Sequence, residues 1–197
     1  MRQLRMPGRG VAATAAERAA MLPGDEIVAG ADVVMDRAFT LDALPAVVWP
    51  WLVQLGKARA GWYLPRVIER WLPPGRRAAR VVGQDWQRLR VGDVVPDYGG
   101  PGAAFTVAVL DPGAALVYSA RRGAMDLTWA LTIRADTAPG AAAPRSRVHL
   151  RLRLGSVRRR WLAETGGELL DLLTIAGMAA GLRERLSGDG TNPQLPF

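Results

Sequence analysis

The sequence predicts an α+β fold in which a curved antiparallel sheet wraps around a long C-terminal helix, with two short helices after the first strand. Three observations predict it. From residue 81 onward, apolar residues alternate with the period of strands in short runs broken by turn residues. Before these runs, a strand-like stretch over 33–41 leads into two proline-marked helical stretches. After them, residues 157–186 return to helical spacing.

The length, 197 residues, suits one domain with a sizeable core. Residues 1–21, rich in Gly, Ala and Arg, read as a flexible arm with at most a short helix over 12–21; residues 22–187 read as the folded domain and 188–197 as a flexible tail. Leu22-Pro23-Gly24-Asp25-Glu26 reads as a turn. In the first strand Val33, Met35, Phe39 and Leu41 share one face, interrupted by Arg37, and Asp36, Ala38 and Thr40 share the other. Asp42 is placed to cap the next helix, with Pro45 near its first turn. Val48, Trp51, Leu52 and Leu55 form the apolar face of that helix, and Pro50 should kink it or confine it to two turns. A second short helix is expected over 65–71, ended by Pro73-Pro74-Gly75, and Arg76 to Arg80 form a solvated basic connector.

Strand runs follow over 86–89, 105–110, 116–120, 127–134 and 147–154. Asp111-Pro112-Gly113 and Arg122-Gly123 suit hairpin turns, and 139–144 reads as an Ala/Pro/Gly loop. In the last helix, Leu162, Leu169, Leu173, Ala176 and Ala180 form the expected buried stripe, with Leu172 beside it, and Glu164, Glu168 and Asp171 an acidic face. Gly166-Gly167 and Gly177 each weaken the helix, and one of them is expected to mark a bend or a close approach to the sheet.

Composition excludes several classes of function. There is no cysteine, hence no disulfide or thiolate chemistry, and a single histidine rules out a His-rich metal site; no metal or cofactor is expected. No window is apolar enough to span a membrane, and no apolar signal core follows the first residues, so a cytoplasmic protein is expected. The formal charge of +8 is spread as arginine over nearly every segment, with Lys57 the only lysine. No specific nucleic-acid partner is expected from that pattern, and weak contact with an anionic membrane is the most it implies. No serine sits in a nucleophile elbow, and Gly99-Gly100-x-Gly102 lacks the helix of a nucleotide site.

The stretch from Val33 through Val48-Trp49-Pro50-Trp51-Leu52-Val53-Gln54 to Gly61-Trp62-Tyr63 resembles the opening of the START-like (SRPBCC) superfamily, in its bacterial polyketide cyclase/dehydrase or lipid-transport-like branch. The resemblance continues through Leu22-Pro23-Gly24-Asp25, Gln84-Asp85-Trp86-Gln87, Val91 to Pro96, Trp129, Ser146-Arg147-Val148 and Met178 to Leu182. It departs at Pro65-Arg66-Val67 and at Ile175-Ala176-Gly177, where relatives commonly carry Tyr-Asp-Trp and charged residues. The resemblance implies a helix-grip fold with a cavity between sheet and C-terminal helix that takes a small or medium hydrophobic organic molecule. It also allows a cyclase/dehydratase-like lyase without metal or nucleotide cofactor, or a lipid carrier acting at membrane surfaces.

Seven tryptophans suit an apolar pocket. Trp51, Trp62, Tyr63, Trp86 and Trp129 are the wall candidates, and Tyr98, beside Asp97 on a Gly-rich loop, is a candidate at a gate. Histidine is the residue type suited to general base chemistry near neutral pH, so His149 is a catalytic candidate, with Asp97 as the second. Strand parity sets Arg147, His149, Arg151 and Arg153 on the face opposite Val148, Leu150, Leu152 and Leu154, and the simple reading makes the first face solvent-exposed. An inverted strand would instead bring Arg151 to Glu168 inside the cavity, and three guanidinia on one face can also bind a carboxylate or phosphate.

Overall fold

A computed structural model describes residues 10–137, 144–157 and 168–187. The order is α1 (Ala15–Ala19), β1 (Val33–Leu41), α2 (Pro45–Gln54), α3 (Arg66–Glu69), β2 (Val94–Pro96), β3 (Ala104–Asp111), β4 (Ala115–Arg122), β5 (Met125–Ala135), β6 (Ser146–Gly155) and α4 (Glu168–Ser187). The strands form one antiparallel sheet in the order β1-β6-β5-β4-β3-β2. The β3–β4 and β4–β5 links are the expected tight turns, with Gly113 and Gly123 at φ 83° and 61°.

The expected strand over 86–89 is instead part of a 3-10 turn, Gln84–Gln87, and the extra strand is β2. Trp86 turns back over Gly83, where any Cβ would meet its ring at 2.8 Å. α2 begins at Pro45 and runs ten residues through Pro50. Its N-cap is Leu44 with no side-chain cap, while Asp42 turns away to pair with Arg145 at 3.3 Å. A proline at the helix start leaves one fewer amide to cap, which lets the expected cap residue go elsewhere.

Register splits the sheet into two faces. Met35, Phe39 and Leu41, Val148 and Leu150, Leu131 and Ile133, and Leu116 and Tyr118 form the inner face, buried against α2 and the second half of α4. The buried side of α4 is Ile175, Met178, Ala179 and Leu182, with Leu172, Ala176 and Leu186 partly buried beside them. Leu173, expected in the stripe, is 55% exposed. The rotation follows from Gly181: a Cβ there would lie 2.6 Å from the Tyr63 carbonyl carbon, so this is the side that docks against the 63–64 backbone. Gly177 likewise approaches Leu64, not the sheet. Leu162, Glu164, Gly166 and Gly167, and the side chains of Glu168 and Leu169, lie outside the described residues.

The outer face of β6 is not left to solvent. Residues 11–29 lie across it: the Ala38 amide donates to the Val11 carbonyl at 3.0 Å and Ala12 bridges to Arg37, partly covering the free edge of β1. Within residues 10–21, expected as an arm, Val11, Ala13 and Glu17 are buried against the sheet, with Val11 1% exposed, and α1 is closed by a Thr14/Glu17 capping box. The polar face of β6 is the reason. Arg147 grips Glu17 with two bonds of 2.7 and 2.8 Å, and Arg153 donates to the Val28 and Ala29 carbonyls. Arg151 donates to the Glu17, Arg18 and Ala20 carbonyls and to Asp25 and Asp36. An isolated strand pattern cannot show that a neighbouring segment supplies these acceptors.

Candidate functional site

The inner face has two unlike halves. Around Phe39, Leu41, Val148, Leu150, Met178 and Leu182 every side chain is almost fully buried, so this end of the grip is solid. Toward the other end Leu152, Leu154, Trp129, Phe105, Trp62 and Arg37 stay partly exposed although they face inward. Here the rings form a continuous run. Trp62 stacks on Trp129 at 5.9 Å, Trp129 on Tyr118 at 5.9 Å, and Phe105 touches both Tyr118 (5.6 Å) and Trp129 (6.3 Å). Trp62 is held by its indole N–H, which donates to the Thr174 carbonyl of α4 at 3.3 Å.

Polar groups stand around this run. Tyr118 is 2% exposed and its hydroxyl has no hydrogen-bond partner among the described residues. Burial raises its phenol to about 12, so it is a neutral donor. Arg122 lies 5.4 Å over the Phe105 ring and pairs with Asp97. Arg37, the charge that interrupts the apolar face of β1, pairs with Asp171 of α4 at 3.0 Å between sheet and helix. That pair holds the position expected of Arg151 and Glu168 on an inverted strand. The register excludes the inversion, since Arg151 sits opposite Asp36 on the outer face.

The predicted residues separate accordingly. Trp62 and Trp129 come together in the ring run. Trp51 and Tyr63 are core: their rings meet edge-on at 5.6 Å, and the Tyr63 hydroxyl donates to the Trp51 carbonyl at 2.8 Å. Trp86 packs beside the core at the 3-10 turn, and Tyr98 is 58% exposed. His149, 6% exposed, bonds Asp36 at 2.6 Å on the outer face, away from the rings. Burial opposes ionisation of Asp36, but hydrogen bonds from His149 and Arg151 outweigh it and hold its carboxyl below the usual range. Phe105 and Tyr118 were missed by sequence reasoning, although the parity of β3 and β4 places both on the inner face.

Open hollows among the described residues include one of about 390 Å³ beside Arg59, Leu89, Asp93 and Val95, and one of about 330 Å³ between Ala12, Arg18 and the edge of β1. None of the predicted wall residues lines either of them.

No family model and no curated protein matches this chain. Solved structures similar to it include the Aha1 dimer from Colwellia psychrerythraea, at 12% identity over 77% of this chain and 98% of that one, with a TM-score of 0.43. A protein from Staphylococcus saprophyticus is similar at 11% identity over 78% and 92%, TM-score 0.45. A Polyketide_cyc-like protein from Corynebacterium glutamicum is similar at 13% identity over 78% and 86%, TM-score 0.35. No described helix is long and apolar enough to cross a membrane. With its strand order, its antiparallel register and α4 laid across the inner face, the chain has an α+β, helix-grip fold.

Proposed function

We propose that this protein holds a small or medium hydrophobic organic molecule between the inner face of the sheet and α4, against the ring run. The observation that supports this reading is the partly exposed series Trp62, Trp129 and Phe105 inside the grip, packed on the buried Tyr118, whose phenol hydroxyl has no partner among the described residues. Rings that face inward yet stay accessible offer a ligand apolar area worth about 25 cal/mol per Å². A buried donor without an acceptor costs about 1–3 kcal/mol, which a ligand carbonyl or hydroxyl in reach of Tyr118 would recover. Arg122 sets the polar end of the site. A cyclase or dehydratase reading has weaker support, because His149 faces the other side of the sheet and Asp97 is engaged by Arg122.

Native mass spectrometry of the protein purified from its own host should reveal a retained organic molecule. Trp129→Ala should weaken its retention about tenfold, and Tyr118→Phe should weaken binding of oxygen-bearing ligands while leaving the free protein folded. A chain that leaves the host empty, and whose indole fluorescence responds to no apolar compound in a broad panel, would defeat the reading.

A further inference from the structure

We propose that the tip formed by residues 64–77 is a docking surface for an anionic lipid bilayer. The proposal goes beyond the internal ligand site and stands without it. The tip displays its apolar side chains outward: Val67 is 57% exposed, Ile68 45% and Trp71 78%. Trp71 has Arg70 over its ring at 5.2 Å. Between positions 66 and 80 there are five arginines and one acidic residue, Glu69. Glu69 is 4% exposed and already bound by Arg185 and Arg80, and Arg66 and Arg80 share Glu184. Arg70, Arg76 and Arg77 therefore face outward with no carboxylate among their described contacts.

The tip is built to hold this shape in water. Arg185, whose side chain is fully buried, donates to the Leu64 carbonyl at 3.0 Å and the Ala79 carbonyl at 2.8 Å, closing both ends of the loop, and to Glu69 at 2.7 Å in its middle. Arg77 closes the tip itself through the Leu72 and Arg70 carbonyls. An ordered apolar point ringed by guanidinia suits the boundary between anionic headgroups and acyl chains, where tryptophan is favoured and each basic group adds attraction. A nucleic acid would use the arginines and the indole but would leave Val67 and Ile68 nothing to bury against. Those two side chains favour the bilayer.

The test is co-sedimentation of the full chain with phosphatidylcholine vesicles, with and without about a third phosphatidylserine, at low and physiological salt. Binding is expected only to the anionic vesicles, weakened by salt, and reduced about tenfold by Trp71→Ala and at least as much by Arg70→Gln/Arg76→Gln, which leaves the tip-closing Arg77 in place. These side chains point outward, so circular dichroism and thermal midpoints should not change. Ligand retention by Trp71→Ala, read by native mass spectrometry, should also be unchanged, so failure of docking and failure of the internal site are separable. Absence of binding to anionic vesicles at low salt, or binding indifferent to these variants, overturns the proposal. So does equal affinity for a single-stranded oligonucleotide that survives Val67→Ser/Ile68→Ser.

Discussion

Glu69 shows how much one residue can organise. It is buried beside Arg185 and Arg80, and although burial opposes its ionisation, the two guanidinia hold its carboxyl below the usual range. Removing one member of such a buried pair leaves an uncompensated charge, so Glu69→Ala should cost about 3–5 kcal/mol in urea unfolding. Adding Arg185→Met to that variant should recover only part of the loss. The Leu64 and Ala79 carbonyls then lack their donor as well, and a double-mutant cycle measures the difference. Nothing in the local sequence around Glu69 marks it as buried, because its partner lies 116 residues away.

At the scale of elements, the rotation of α4 decides which residues look into the grip. Leucines at helical spacing suggest a stripe through Leu173, yet the helix turns Ile175, Met178 and Leu182 inward. Backbone contact with Gly181 accounts for it. In an open helix Gly→Ala stabilises by about 1 kcal/mol, but at Gly181 the added methyl would meet the Tyr63 and Leu64 backbone at 2.6–2.8 Å. Gly181→Ala should therefore destabilise by about 1–3 kcal/mol, a reversal of sign that thermal unfolding can read. The same docking positions Thr174 to hold Trp62, so the variant should also perturb the ring run, seen as a change in tryptophan fluorescence.

Across the whole molecule, residues 11–29 are fastened to the outer face by charge. The Arg147 hydrogen bonds lower Glu17 from 4.5 to about 2 against an opposing contribution from burial, and Asp36 is also lowered. A carboxylate with a depressed folded value stabilises above its ordinary range, and that stability is lost as pH falls toward the folded value. The urea midpoint should thus hold from about pH 7 to 5 and drop between about pH 4.5 and 2. Glu17→Gln should lower the midpoint at neutral pH and shrink the acid-induced drop. An equal drop in the variant would mean that this fastening does not govern acid stability.

The sequence by itself determined the α+β class, the extent of β1, the hairpin turns and the two-sided parity of β6, because alternation and turn chemistry are local properties of the chain. Only the tertiary structure decided what each face meets. It covered the Arg147, His149 and Arg151 face with the chain's own N-terminal segment, turned α4 about Gly181, and gathered Trp62, Trp129, Tyr118 and Phe105 from four separate segments. Burial and partnership depend on contacts between residues far apart in sequence, so a pattern can say which side chains share a face but not what lies against it.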